Sequence, residues 1–81
     1  MRLKRLVKIT WRDAKSEAAG WKPISAIRDS KPSIVYSVGW IVRDTKSEIA
    51  IVSSVVDDHC DGDLVIPKEW IVLVEKLVTT I

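Results

Sequence analysis

The densest run of reactive side chains is Asp57-Asp58-His59-Cys60-Asp61-Gly62-Asp63, which sets four carboxylates, an imidazole and a thiol within seven residues. Such a set could offer oxygen, nitrogen and sulfur donors to a metal ion. Its spacing matches no known metal loop. An EF-hand follows its mid-loop glycine with a glutamate six residues on, and here Gly62 is followed at that distance by Lys68-Glu69-Trp70. A zinc site would need further Cys or His ligands, and the chain has one of each. The segment reads as a solvated hairpin loop with Gly62 at positive φ, and no metal is assigned. Nucleophilic cysteines are activated by nearby positive charge, whereas Cys60 is flanked by Asp57, Asp58, Asp61 and Asp63. The rest of the chain has no phosphate-cradling glycine loop and no nucleophile elbow. We therefore expect no catalytic residues, no cofactor and no enzyme.

Two other groups could bind rather than react. Arg2, Lys4, Lys8 and Arg12 share even positions, and Arg5 adds a fifth cation before Asp13. On an extended chain the even set lines one face, able to track a phosphate backbone, although the commoner role of such a face is to stay solvated or protect a sheet edge from aggregation. Trp21, between Gly20 and Lys22, is the aromatic most open to a partner, although the simpler expectation is that it folds its loop back onto the domain.

The elements that must hold these groups are set by composition. Eighty-one residues at 9.1 kDa make one domain over 1–81, with 47% hydrophobic and 30% charged residues, a globular profile. The longest uninterrupted apolar run is residues 70–74, far short of the roughly 18 needed to span a bilayer as a helix. No membrane partner is expected. Lys8 and Arg12 interrupt any apolar stretch after the basic start, so no secretory signal is visible. A single cysteine excludes an intramolecular disulfide and fits a reducing, cytoplasmic setting. A net charge of +2 names no partner.

Val, Ile and Thr together supply 25 residues against five Leu and five Ala, a ratio that favours strands. Alternation predicts five of them, over residues 6–12, 33–42, 48–56, 63–67 and 71–78. In the first, Val7, Ile9 and Trp11 alternate with Lys8, Thr10 and Arg12, giving one polar face. In the second, Ile34, Tyr36, Val38, Trp40 and Val42 share a face opposite Ser33, Val35, Ser37, Gly39 and Ile41. Both faces carry apolar atoms and call for covering on both sides, by the domain or by a neighbour. Residues 43–47 form a short polar hairpin connection, and Lys68-Glu69-Trp70 after Pro67 leaves room for one 3₁₀ turn. Residues 13–32 are a broken-up loop able to hold short helical turns over 13–19 and around Ile24 and Ile27. Trp11 and Trp40 are expected in the core, with Trp70 plugging one end. Five such strands describe a small closed or nearly closed β-barrel.

Two resemblances rest on these segments. Leu64-Val65-Ile66-Pro67-Lys68-Glu69-Trp70-Ile71-Val72-Leu73-Val74 resembles the second signature segment of Sm-like proteins, and Val38-Gly39-Trp40-Ile41-Val42-Arg43-Asp44 with Ile49-Ala50-Ile51-Val52 resembles the first. The Ile-Pro-x-x-aromatic turn is also similar to that of Src-homology-3 domains. The chain as a whole resembles short phage and prophage proteins with a Thr-Trp-x-Asp start (Thr10 to Asp13), a Ser-x-Gly-aromatic strand (Ser37 to Trp40) and an Ile-Pro before the last strand. The Sm likeness implies an SH3-like barrel, a ring-forming tendency and bound uridine-rich RNA. The base-reading residues do not carry over, since the chain lacks Asn and Gln and has Pro67-Lys68 where the family has Arg-Gly. The expectation is an all-β, five-stranded SH3-like (Sm-like) small barrel that self-associates as a binding or assembly module. The alternative is RNA or DNA binding through Arg2, Lys4, Arg5, Lys8 and Arg12.

Overall fold

The computed structural model describes residues 5–14 and 19–78. Arg2, Lys4 and most of the helical stretch expected over 13–19 lie outside the described residues. The strands are β1 (Leu6–Asp13), β2 (Ser33–Asp44), β3 (Glu48–Val52), β4 (Ser54–Val56), β5 (His59–Asp61), β6 (Leu64–Pro67) and β7 (Ile71–Lys76). One helical turn, α1 (Ile24–Arg28), lies in the long first connection, and a 3₁₀ turn (Lys68–Trp70) joins β6 to β7. Five strands make one antiparallel sheet in the order β6-β3-β2-β1-β7, and β4 and β5 pair as a separate hairpin.

The sheet curls, and small residues on its concave side allow it. Val7, Ile9 and Trp11 of β1, Ile49 and Ile51 of β3 and Ile66 of β6 form one buried cluster, with Val35, Ile41, Leu64 and Ile71 packed against it. Strands at positions one and four of the order could not share a core across a flat sheet, where neighbours lie about 4.8 Å apart. Register puts Val7 opposite Gly39, Ile9 opposite Ser37 and Trp11 opposite Val35, so the odd positions of β2 face inward. A Cβ at Gly39 would sit 2.8 Å from the Val52 carbonyl oxygen and 3.1 Å from Ile51 Cβ. Only glycine lets β2 and β3 approach that closely. Beside it, Trp11 Nε1–H donates to Ser37 Oγ at 3.0 Å, satisfying the buried indole.

Three expectations are corrected. The barrel is not closed: β6 and β7 are the two free edges of the sheet, with no ladder between them among the described residues. Trp40 faces away from the inner cluster, half-buried between Leu6 and Val52 in the register. Trp70 does not plug an end. It stays 42% exposed and stacks on Trp11 with ring centroids 6.4 Å apart.

The connections follow from local chemistry. The β2–β3 turn holds three residues, shorter than expected, and the Thr45 hydroxyl takes glycine's place by accepting from the Glu48 and Ser47 N–H groups. The expected strand over 48–56 breaks at Ser53. Ser53 N–H and Oγ both bond the Asp61 carbonyl, and a Cβ on Gly62 (φ +68) would collide with Ser53 Oγ. The positive φ expected at Gly62 is present, but residues 57–63 are mostly hairpin, with Asp57 (φ 53) at a two-residue tip.

Candidate interaction surface

The outer face of the curled sheet gathers the groups most able to meet a partner. Three rows cross it: Arg12 beside Ile34; Leu73, Thr10 and Tyr36; and Glu75, Lys8 and Val38. Ile34, Tyr36, Val38 and Leu73 are all exposed, Tyr36 to 65%. Ile34, Tyr36 and Val38 lie side by side along β2, Leu73 stands across Thr10 from Tyr36, and Lys8 and Arg12 are interleaved on β1 between them. Lys8 Nζ lies 5.1 Å from the Tyr36 ring centroid and 3.9 Å from Glu75 Oε1. The sequence singled out Lys8 and Arg12 but not the tyrosine between them. The signal was present in the small Ser37 and Gly39 at the alternate positions, which claim the concave side.

Of the five expected cations, Arg5, Lys8 and Arg12 are described, and these three do not converge. Among the three that are described, Lys8 and Arg12 share the outer face. Arg5 instead turns to Asp44, its Nη1 lying 3.5 Å from Oδ2. Lys68 Nζ donates to Asp44 Oδ1 at 2.7 Å. That hydrogen bond, with the charges of Lys68 and Arg5, holds the Asp44 carboxyl below the usual carboxylate range against the opposing pull of burial. The three side chains rim a cleft of about 310 Å³ whose apolar wall is Ile49, Ile71 and Val74, on the side where β6 and β7 fail to meet.

Trp21 is fully exposed, and Ile24 and Ile27 of α1 are mostly exposed. The expectation that Trp21 folds its loop back is not met, because every described residue from 19 to 32 is exposed and α1 buries no residue.

On the acidic hairpin, His59 Nδ1 lies 2.7 Å from Asp58 Oδ1, with both side chains more than four-fifths exposed. Asp61 Oδ1 accepts from the Gly62 N–H at 2.8 Å. Cys60 is exposed. Among the described residues no three His, Cys, Asp or Glu side chains converge as metal ligands, and no helix is long and apolar enough to cross a membrane.

Compared with known proteins, the chain matches no family model, no curated protein and no solved structure. Function must be argued from these surfaces alone.

Proposed function

We propose that this chain is a non-enzymatic binding and assembly module, an open relative of the SH3-like and Sm-like small barrels, completed by self-association in a reducing, cytoplasmic setting. The strand order, the bend at Gly39 and the 3₁₀ turn that carries the chain from one sheet edge to the other support the small-barrel kinship. The observation that carries the assembly reading is an imbalance of apolar surface. Among the described residues fourteen large hydrophobic side chains are exposed, against a buried core of eight apolar residues. Single exposed hydrophobics are ordinary, but Ile34, Tyr36 and Val38 side by side along β2, with Leu73 on the same face, support an interface. Thermal unfolding at increasing protein concentration tests the reading. Mass action raises the Tm of an assembled chain with concentration, by several degrees over a hundredfold range. A Tm constant across that range refutes it.

A second reading is favoured by Tyr36. An exposed aromatic between Lys8 and Arg12 combines a stacking surface with phosphate-binding charge, as single-strand nucleic-acid binders do. Gel shifts with short RNA and DNA at several salt concentrations test it. Binding that weakens with salt and is lost in Tyr36→Ala supports it, and no shift at low salt removes it.

A further inference from the structure

We propose that β7 pairs antiparallel with β7 of a second copy, across a two-fold axis at Val74. This rests on the assembly reading and names the edge, the symmetry and the register through which it acts.

The sheet has two free edges, and their backbones differ in what they offer. On β6, the Lys68 N–H bonds the Ser47 carbonyl at 2.8 Å. The register pairs Ile49 with Ile66 and Ile51 with Leu64. Hydrogen-bonded pairs alternate along an antiparallel ladder, so Leu64 and Ile66 are spent on β3 while Val65 and Pro67 face the open edge. Pro67 has no N–H, which leaves this four-residue strand one outward donor. The β4–β5 hairpin strands are three residues each, and four aspartates cluster on and around their tip. Like charge opposes their pairing with a copy of themselves.

β7 is the less protected edge, carrying Lys76 on the side of Val7 but no proline. The Leu77 N–H bonds the Leu6 carbonyl at 2.9 Å, and the register pairs Lys8 with Glu75 and Thr10 with Leu73. By the same alternation the N–H and C=O of Val74 and Lys76 point outward. Val72, Leu73 and Val74 are all exposed, no proline interrupts the strand, and its bulge is confined to the start, opposite Thr10 and Trp11. Edge strands of monomers are ordinarily blunted by short length, proline or inward charge. This one has an open ladder and an apolar stretch.

The second copy is the occupant because β7 is complementary to itself when the two-fold axis sits on Val74. Outward-facing groups must meet outward-facing groups, which restricts the two-fold axis to a few positions on the regular part of the strand. An axis on Glu75 sets two carboxylates directly opposite, and an axis on Lys76 sets two ammonium groups opposite. Both are unfavourable. An axis on Val74 pairs valine with valine, sets Leu73 against Glu75 of the second copy and Lys76 against Val72, and apposes no like charges. It also carries the outer row of Tyr36, Thr10 and Leu73 on into the row of Glu75, Lys8 and Val38 of the second copy, so the two outer faces become one surface.

Cross-linking of the full chain tests this. In a Cys60→Ser background, Val74→Cys is expected to give a disulfide-linked dimer under mild oxidation, because residues facing each other as a hydrogen-bonded pair lie about 5.5 Å apart at Cα, within disulfide reach. Val65→Cys on β6 is expected to stay uncross-linked. Val74→Pro removes an outward N–H without touching the β1 ladder. It should raise the dimer dissociation constant at least about tenfold while the strand signal in circular dichroism is kept, and Val65→Pro should leave the constant unchanged. A chain that assembles yet ignores Val74→Pro, or that cross-links Val65→Cys to Val74→Cys in a mixture, overturns the β7 pairing and leaves the assembly reading standing. A wild-type chain that is monomeric at every concentration overturns both.

Discussion

Gly39→Ala probes the curl that gathers the core from strands on both sides of β2. The added Cβ would lie 2.8 Å from the Val52 carbonyl oxygen, 3.1 Å from Ile51 Cβ and 3.3 Å from Ile51 Cδ1. Real Cβ atoms do not approach a backbone oxygen so closely, so β2 and β3 must separate. Overpacking of this kind costs about 1–3 kcal/mol. Replacing glycine returns about 0.5–1 kcal/mol by restricting the unfolded chain. Because the nearest contact is backbone rather than a flexible side-chain end, the overpacking cost falls in the upper half of its range. The net is a destabilisation of about 1–2.5 kcal/mol, which for a domain of this size lowers Tm by roughly 4–20 °C. Urea and thermal unfolding measure it directly. Adding Ile51→Val trims the Cδ1 contact but leaves the backbone oxygen in place, so it should not rescue the variant. A neutral or stabilised Gly39→Ala would mean that β2 and β3 do not approach as described, and the inward assignment of the odd β2 positions would fall with it.

Three further outcomes follow from particular contacts. Ser37→Ala strands the Trp11 indole N–H inside the sheet and should cost about 1–3 kcal/mol in urea unfolding; a change below about 0.5 kcal/mol would mean the bond is not made. Asp44 has a folded pKa below its unfolded value of about 3.9, so its stabilising contribution is complete above that value and is lost as pH falls through the folded one. Asp44→Asn should flatten the decline in the urea midpoint between neutral pH and about pH 2.5, and an unchanged acid limb would contradict the Lys68 and Arg5 pairing. Trp21→Ala touches no described neighbour and should shift stability by no more than about 0.5 kcal/mol, whereas a large loss would show that the loop packs back onto the sheet.

The first strand was legible because its pattern is unambiguous: Val7, Ile9 and Trp11 could only be buried against Lys8, Thr10 and Arg12. Parity therefore also put Lys8 and Arg12 on one outer face. In β2 the same logic misleads, since the even positions Ile34, Tyr36, Val38 and Trp40 are the more apolar set and yet they face outward. Size decides there, because the concave side of a tightly bent strand accepts Gly39 and Ser37 where it would reject bulk. The pattern did register that both faces of β2 carry apolar groups, which called for covering by the domain or by a neighbour. Closure was not legible, because alternation fixes which way side chains point but not whether two distant edges meet. The hairpin at residues 53–62 was half visible: Gly62 marked its exit, but its tip carries Asp57 at positive φ, where no glycine gave a warning. The pairing of Arg5 with Asp44 joins residues remote in sequence, and no local signal encodes it.

Sedimentation equilibrium of the wild-type chain, from low micromolar to near-millimolar concentration at neutral pH and moderate salt, addresses the outward apolar face most directly. A dimer or larger assembly that dissociates on dilution is the predicted result. A single 9.1 kDa species throughout would contradict it, leaving Ile34, Tyr36, Val38 and Leu73 exposed with nothing to cover them.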